Sequence, residues 1–229
     1  MSVFLLVHGG FSGGWYFPHT AKYLRNAGHD VFTPTLTGLG ERAHLANPEV
    51  GLDTHIQDIV GVLECEDLSD VIILGHSYGV MPVTGAAEKV PERISRLVYL
   101  DAPPPTNGQK WFDILGPEIT QLFTDLANRK GDGWRFPPRG APPKWQPHPL
   151  KTCTDSIEIT NPETAKIPRV YVHCMVRDEG VFAPMWIKWD KYMEEIKKQG
   201  LWYRTLPTNH MINTVEDQQN LAELLLELI

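Results

Sequence analysis

Cysteine is scarce in this 229-residue chain, and its scarcity argues against a small fold stabilised by disulfides or by zinc. The three cysteines (Cys65, Cys153 and Cys174) include no C-x-x-C pair and no close Cys/His spacing. This pattern argues against a disulfide framework and against a zinc site. We therefore expect no metal, no other cofactor and a reducing compartment, the cytoplasm.

Positive charge and long apolar runs are also in short supply. Lys and Arg number 21 against 28 Asp and Glu, giving a net charge of -7. Such a chain has no basic surface for nucleic acid or anionic lipid. No apolar run approaches the roughly 18 residues of a membrane span, and the first residues do not resemble a signal peptide. We expect a small-molecule substrate, no nucleic-acid or membrane partner, and a monomer or homodimer.

Short β-branched runs alternate with helical patterns along most of the chain. This alternation predicts one α/β domain over residues 1–229, with a mostly parallel six-stranded sheet covered by helices on both faces. The predicted strands are Val3–Val7, Asp30–Thr33, Val71–Leu74, Leu97–Leu100, Val170–His173 and Trp202–Leu206. The predicted helices are Thr20–Ala27, Thr54–Glu64, a segment between Ser77 and Pro91, Pro184–Gln199 and Val215–Leu228.

Residues 103–167 differ in composition from the rest. They hold eleven of the nineteen prolines and three of the seven tryptophans, with one clear helical pattern near Pro117–Asn128. A segment of this length without strand periodicity is typical of a functional lid, and its aromatic residues argue against disorder. We interpret it as a cap inserted into a core formed by residues 1–102 and 168–229.

The run Gly75-His76-Ser77-Tyr78-Gly79 carries the strongest chemical signal. It matches G-x-S-x-G, with an apolar strand before it and a helical pattern after it. In this motif the serine occupies a tight strand-to-helix turn that requires small neighbours and exposes the hydroxyl. The pattern predicts that Ser77 is a catalytic nucleophile.

A serine hydroxyl needs a base, and His210 has the most suitable place among the nine histidines. It follows the last predicted strand and precedes the last helix, on the sheet edge expected for Ser77. We expect His8 and His76 to support loops and His173 to lie in the core. Surface roles are expected for the others: His19, His29, His44, His55 and His148.

The acid that orients the histidine has several candidates. Asp178 follows the strand Val170–His173, and the chain order serine, aspartate, histidine is the usual one for this motif. We predict Asp178 as the catalytic acid. Glu179 is its neighbour, and Asp101, directly after Leu97–Leu100, is the main alternative.

Two backbone amides are needed to hold the oxyanion of an acyl-transfer intermediate. We expect one from Tyr78, which follows the nucleophile, and one from the glycine-rich loop after the first strand. Gly10 is the predicted donor in that loop, with Phe11 as the alternative. The loop lacks both G-x-G-x-x-G and a P-loop lysine, so it does not indicate phosphate binding. Phe11, Trp15 and Trp111 are predicted to line a largely apolar substrate pocket.

Over most of its length the chain resembles the plant methylesterase and hydroxynitrile lyase branch of the α/β-hydrolases, with its small bacterial esterase relatives. The shared residues are Val7-His8-Gly9-Gly10, Gly13-Gly14-Trp15, Thr35–Arg42, Gly75–Gly79, Val98–Asp101 and the acid and histidine near the end. The resemblance implies the α/β-hydrolase fold and the triad Ser77, Asp178 and His210.

Two positions favour the esterases within that branch. The lyases carry a threonine where this chain has Gly9, and a lysine where it has Met211. Stabilising a departing cyanide needs a positive charge, which methionine cannot supply. We therefore expect a serine carboxylesterase for a small apolar or aromatic ester. Carbamate, amide or lactone hydrolysis, lyase-type carbon–carbon cleavage and a non-enzymatic receptor are the alternatives.

Overall fold

The computed structural model describes residues 1–138 and 140–229 and is built on a six-stranded parallel sheet. The strand order is β2-β1-β3-β4-β7-β8, and every neighbouring pair in this sheet runs parallel. The strands are β1 (Val3–Val7), β2 (Asp30–Phe32), β3 (Val71–His76), β4 (Ile94–Leu100), β5 (Arg135–Phe136), β6 (His148–Pro149), β7 (Arg169–Val176) and β8 (Trp202–Asn209). The predicted α/β architecture is confirmed.

Helices cover both faces of this sheet. They are α1 (Pro18–Asn26), α2 (Leu52–Cys65), α3 (Val80–Lys89), α4 (Trp111–Leu115), α5 (Pro117–Lys130), α6 (Lys151–Thr154), α7 (Ala183–Lys198) and α8 (Val215–Leu226). Alternate side chains of β1 enter separate cores. Leu5 belongs to the core that contains residues of α2, α3 and α7, whereas Phe4 and Leu6 belong to the core that contains residues of α1 and α8. This alternation follows from the two-residue period of a strand.

Two local features explain where helices begin. Pro82 is the third residue of α3, so it lies in the first turn, where its missing N–H removes no intrahelical hydrogen bond. At α8, the Asp217 amide donates to the Thr214 hydroxyl (3.0 Å) and the Thr214 amide donates to the Asp217 carboxylate (3.3 Å). This reciprocal pair is a capping box, with aspartate in the place usually taken by glutamate.

Residues 103–167 lie between β4 and β7 in the chain and contribute no described residue to the six-stranded sheet. They contain α4, α5 and α6, together with an antiparallel pair formed by β5 and β6. The sequence did not predict this pair, because each strand has only two residues and one is a proline. In the described parts of the chain, no helix is both long and apolar enough to cross a membrane.

Candidate active site

Ser77 lies directly after β3 in a strained turn that only small neighbours permit. Its φ is 54°, in the left-handed region that non-glycine residues seldom occupy. A Cβ added to Gly75 would lie 2.5 Å from the carbonyl oxygen of Gly79, and one on Gly79 would lie 2.8 Å from that of His8. Both glycines are therefore required by the close approach of neighbouring backbone.

His210 lies within hydrogen-bond distance of Ser77, as the sequence predicts. Its Nε2 is 3.0 Å from Ser77 Oγ, and its Nδ1 is 2.7 Å from a carboxylate oxygen of Asp101. A carboxylate only accepts hydrogen bonds, so Nδ1 carries the proton. Nε2 is then free to accept the hydrogen bond that Ser77 donates, which is the arrangement a general base needs.

The carboxylate at His210 belongs to Asp101, and this corrects the prediction of Asp178. Asp101 is fully buried, and its second oxygen accepts the Cys174 amide at 3.0 Å. Asp178 is exposed and has no side-chain hydrogen bond or ion pair to any described residue, although it lines the cavity beside Ser77. Its neighbour Glu179 is exposed as well.

The physical reason for this correction lies in the end of β7. The sequence predicts that this strand ends at His173, but it continues to Val176 with an irregular register against β8. Arg177 then reaches Asp101, with Nη1 2.8 Å from Oδ2. Asp101, in turn, follows the central strand β4 in a left-handed conformation (φ 50°).

Burial and hydrogen bonding act in opposite directions on Asp101. Burial alone would raise the pKa of this carboxyl group, but the hydrogen bonds and positive charge of His210 and Arg177 lower its pKa below the ordinary value. The group is therefore an anion at neutral pH. Its charge can stabilise the imidazolium that forms when His210 takes a proton from Ser77.

Two further histidines, both neutral, hold the loops around the nucleophile. His8 accepts the Leu36 amide through Nε2 (3.1 Å) and donates to Gly9 O through Nδ1 (2.7 Å). His76 donates through Nε2 to the carbonyl oxygen of His210 (2.8 Å). Burial lowers the pKa of His8 to about 4 and that of His76 to about 3. These contacts match the loop-supporting roles expected from the sequence.

Gly10, in the glycine-rich loop after β1, lines the cavity together with Tyr78. Neither residue's backbone amide has a hydrogen-bond partner among the described residues. The Phe11 amide, by contrast, donates to His148 Nδ1 at 3.4 Å. Phe11, the alternative to Gly10, therefore has its amide engaged, and Gly10 stays the predicted donor.

His148 is 1 % exposed, so its predicted surface role is wrong. Its Nε2 lies 2.8 Å from the Thr152 hydroxyl, which itself donates to Pro149 O. Nε2 is therefore the protonated nitrogen, and Nδ1 is free to accept from Phe11. Burial lowers the pKa of His148 well below its ordinary value. A neutral histidine from residues 103–167 thus holds the loop that carries Gly10.

His55 is also buried, contrary to its predicted surface role. It donates through Nε2 to Thr37 O (2.9 Å) and accepts the Tyr78 hydroxyl at Nδ1 (2.9 Å). The Tyr78 side chain is thereby held by a residue of α2, and Tyr78 also lines the cavity.

A cavity of about 440 Å³ opens above Ser77 and has a predominantly apolar wall. Phe11 and Trp111 line it, as predicted, but Trp15 does not. Trp15 packs edge-on against Trp145, with ring centroids 5.3 Å apart, and Trp145 takes the position on the wall. The other large apolar lining residues come from α4, α5, β5, α7 and nearby loops: Leu115, Leu122, Phe123, Leu126, Phe136, Phe182, Met185, Trp186, Trp189 and Met211.

The burial of some of the residues at this site can be predicted from the sequence, and that of others cannot. Trp186 and Trp189 belong to the apolar stripe of α7, so their burial is predictable from helical periodicity. The sequence does not indicate that this stripe reaches His210, whose ring centroid lies 4.9 Å from that of Trp186. His148 stands in Pro147-His148-Pro149, a pattern typical of an exposed loop.

Comparisons with known proteins agree with this architecture. Residues 4–223 match the model of the alpha/beta hydrolase family. A carbendazim hydrolyzing esterase of Nocardioides sp. is 49% identical over 127 residues, which are 54% of this chain and 52% of that protein. A polyneuridine aldehyde esterase of Rauvolfia serpentina is 31% identical over 100 residues, 43% of this chain and 38% of that protein. The chain thus spans about half or less of the length of these two relatives.

Among solved structures, an extracellular alpha/beta-hydrolase from a Paenibacillus species superimposes with a TM-score of 0.77 at 22% identity. The match covers 99% of this chain and 98% of that one, and at this identity it shows the fold alone. Plant methylesterases are also among the matching proteins, which confirms the resemblance drawn from the sequence. Since the family match extends over nearly the whole chain, the protein belongs to the alpha/beta hydrolase family.

Proposed function

We propose that the protein is a serine carboxylesterase that uses Ser77, His210 and Asp101. One observation carries this proposal: the Ser77 hydroxyl, the His210 ring and the buried Asp101 carboxylate form a continuous hydrogen-bonded series of 3.0 and 2.7 Å at the floor of an apolar cavity. This series supplies a nucleophile, a base and the anion that orients the base.

The reaction follows from these contacts. Ser77 Oγ attacks the ester carbonyl carbon as its proton passes to His210 Nε2, and the carbonyl oxygen becomes an oxyanion held by the Gly10 and Tyr78 amides. Collapse of this intermediate breaks the carbon–oxygen bond, and His210 gives its proton to the departing alkoxide. Water, deprotonated by His210, then attacks the acyl-Ser77 carbon and releases the acid.

Two positions favour ester cleavage over lyase chemistry. A Cβ at Gly9 would lie 3.0 Å from Ser77 Cβ, so a threonine there would crowd the nucleophile. Met211 lines the cavity in place of a lysine, and no described lining residue is a lysine or an arginine. The site therefore lacks a described cation to stabilise departing cyanide.

The cavity wall favours a small apolar or aromatic acyl or alcohol group. Rings of Phe11, Trp111 and Trp186 contribute to this wall, and aromatic faces bind flat apolar groups well. The identity to the Nocardioides esterase favours a second candidate bond, the aromatic methyl carbamate of carbendazim. The same addition and collapse at Ser77 would cleave either bond.

The test is turnover of p-nitrophenyl acetate, p-nitrophenyl butyrate and carbendazim by the wild-type protein, Ser77→Ala and the control Ser69→Ala. Ser69 is exposed and does not line the cavity. We expect Ser77→Ala to lose about 10⁴-fold or more in kcat and Ser69→Ala to retain wild-type activity. Mass spectrometry should detect one acyl adduct, on Ser77. Undiminished turnover by Ser77→Ala would overturn the proposal, and ligand binding without turnover would favour a receptor.

We also propose the cytoplasm as the compartment, because Cys65, Cys153 and Cys174 are all free thiols, two of them buried. A monomer or homodimer remains the prediction for the assembly.

A further inference from the structure

The guanidinium of Arg177 shares a carboxylate oxygen with the candidate catalytic histidine. Arg177 Nη1 lies 2.8 Å and His210 Nδ1 lies 2.7 Å from the same atom, Oδ2 of Asp101. The two nitrogens are therefore within about 5.5 Å of each other. Asp101 is fully buried and the Arg177 side chain is only 16% exposed, so water screens these charges weakly.

A second carboxylate holds Arg177 from the other side. Asp190 Oδ1 accepts from Arg177 Nε (2.8 Å) and Nη2 (2.6 Å), and it also accepts from His173 Nε2 (2.9 Å). The Trp186 ring lies 4.8 Å from the guanidinium carbon. These contacts fix both the position and the orientation of the arginine.

We propose that Arg177 is a positioning residue whose charge sets the lower pH limit of activity by acting on Asp101 and His210. The proposal rests on the proposed role of His210 as the base. Arg177 does not line the cavity, so it acts through Asp101 and not through contact with substrate.

The direction of the effect follows from Coulomb's law. Arg177 repels a second positive charge on His210 and neutralises part of the Asp101 charge that would stabilise it. Both effects oppose protonation of His210. The base therefore stays unprotonated, and competent, to a lower pH than an Asp–His pair without the arginine would allow.

Other titratable groups face Asp101 and His210, and their effects on the pH profile have to be distinguished from the effect of Arg177. His76 packs against the His210 ring at 4.7 Å, and Tyr16 and Cys174 face Asp101. Burial raises the pKa of Tyr16 and Cys174, and burial lowers the pKa of His76 to about 3. All three are uncharged in the working range of pH.

On the outer side of Arg177, Asp190 is an anion that faces His173, and Tyr203 donates to His173 Nδ1 (2.8 Å). Burial raises the pKa of Tyr203, so it also stays neutral. Asp178, which lines the same cavity as His210, and His173, which contacts Asp190, are the remaining charged or titratable side chains described near this cluster.

The experiment measures kcat/KM for p-nitrophenyl acetate between pH 4.5 and 9 in the full-length protein and a set of variants. Arg177→Gln removes the charge but keeps a donor for Asp101, and Arg177→Lys keeps the charge. A charge this close to His210 is worth about two pH units at an effective dielectric constant of about 20.

We therefore expect Arg177→Gln to move the acid limb upward by about one to two pH units and Arg177→Lys to leave it in place. Asp190→Asn, which removes a negative charge beyond Arg177, should move the limb downward by a smaller amount. Arg204→Gln is the control for charge loss, because Arg204 pairs with exposed Glu227 and lies outside the cavity. His173→Gln should leave the limb unmoved.

Loss of kcat by Arg177→Gln at every pH with an unmoved limb would overturn the proposal, since it would mean a purely structural role. The His210 ring titration, followed by NMR in histidine-labelled protein, is a readout independent of turnover. If no ester is hydrolysed, the proposed function fails, yet the titration midpoint still has to shift upward in Arg177→Gln. If that variant does not fold, an unmoved midpoint in Asp190→Asn overturns the proposal.

Discussion

Replacing Asp101 with asparagine tests the assignment of the catalytic acid. Each Asp101 oxygen accepts hydrogen bonds: Oδ2 from His210 and Arg177, and Oδ1 from the Cys174 amide. Asparagine has one oxygen and one amide group, so in either orientation at least one donor faces another donor. If the amide group faces His210, Nδ1 becomes the acceptor and Nε2 carries the proton. Nε2 then cannot take the proton of Ser77.

The size of the loss follows from this reversal. An imidazole held in the wrong tautomer costs about 10⁴-fold in kcat, or about 5.5 kcal/mol of transition-state stabilisation. Asp178→Asn changes an exposed side chain without a described partner, so we expect kcat within about twofold of wild type. Glu179→Gln is expected to behave in the same way.

Initial rates with p-nitrophenyl acetate at pH 8 measure the effect, with circular dichroism and thermal unfolding as checks on folding. Labelling of Ser77 by a fluorophosphonate provides a second readout and should slow in parallel with kcat in Asp101→Asn. The reasoning is refuted if Asp178→Asn, and not Asp101→Asn, loses most of the activity while both variants remain folded.

Two further predictions concern stability. Gly75→Ala places a Cβ 2.5 Å from Gly79 O, so we expect the free energy of unfolding in urea to fall by about 3 kcal/mol. Nothing lies within 4 Å of a Cβ added to Gly61 in α2, so Gly61→Ala should raise the free energy of unfolding by about 0.5–1 kcal/mol. Equal effects of the two substitutions would contradict the crowding argument. Burial lowers the pKa of His8 and His55 to about 4 and of His76 to about 3, and it lowers that of His148 well below its ordinary value, so the unfolded chain binds more protons below pH 6.5. Stability should be complete above pH 6.5 and fall by up to about 5 kcal/mol per pH unit as pH drops towards 4, and a flat free energy of unfolding between pH 7 and 5 would refute it.

The sheet was predictable because its strands are continuous apolar, β-branched runs, which parallel strands buried on both faces require. Strand ends were less predictable. β8 continues past Leu206 to Asn209, because backbone pairing extends beyond its last apolar side chain, and β7 continues past His173 through the apolar residues Cys174, Met175 and Val176. Hydropathy detects burial and not hydrogen bonding, so the extension of β8 has no signal in the sequence, whereas that of β7 has one.

Ser77 and His210 were predictable for a different reason, namely that motif and chain order fix them. G-x-S-x-G requires a particular backbone turn, and a histidine after the last strand has to return to the same sheet edge. The buried role of His148 had no such constraint. It depends on how residues 103–167 pack against the loop after β1, and that contact joins residues 137 positions apart.

The acid was ambiguous because the carboxyl ends of neighbouring parallel strands meet at one edge, so Asp101 after β4 and Asp178 beyond β7 are both candidates. What separates them is their environment. A carboxylate stabilises an imidazolium most when it is buried, held by donors and kept ionised. Asp101 meets all three conditions through His210, Arg177 and the Cys174 amide. Asp178 is exposed, so water would screen its charge, and no described residue donates a hydrogen bond that would fix its position. Arg177 therefore favours Asp101 over Asp178 as the acid in two ways. It keeps Asp101 ionised in the interior, and it occupies the first position after β7, which leaves Asp178 at the wall of the cavity.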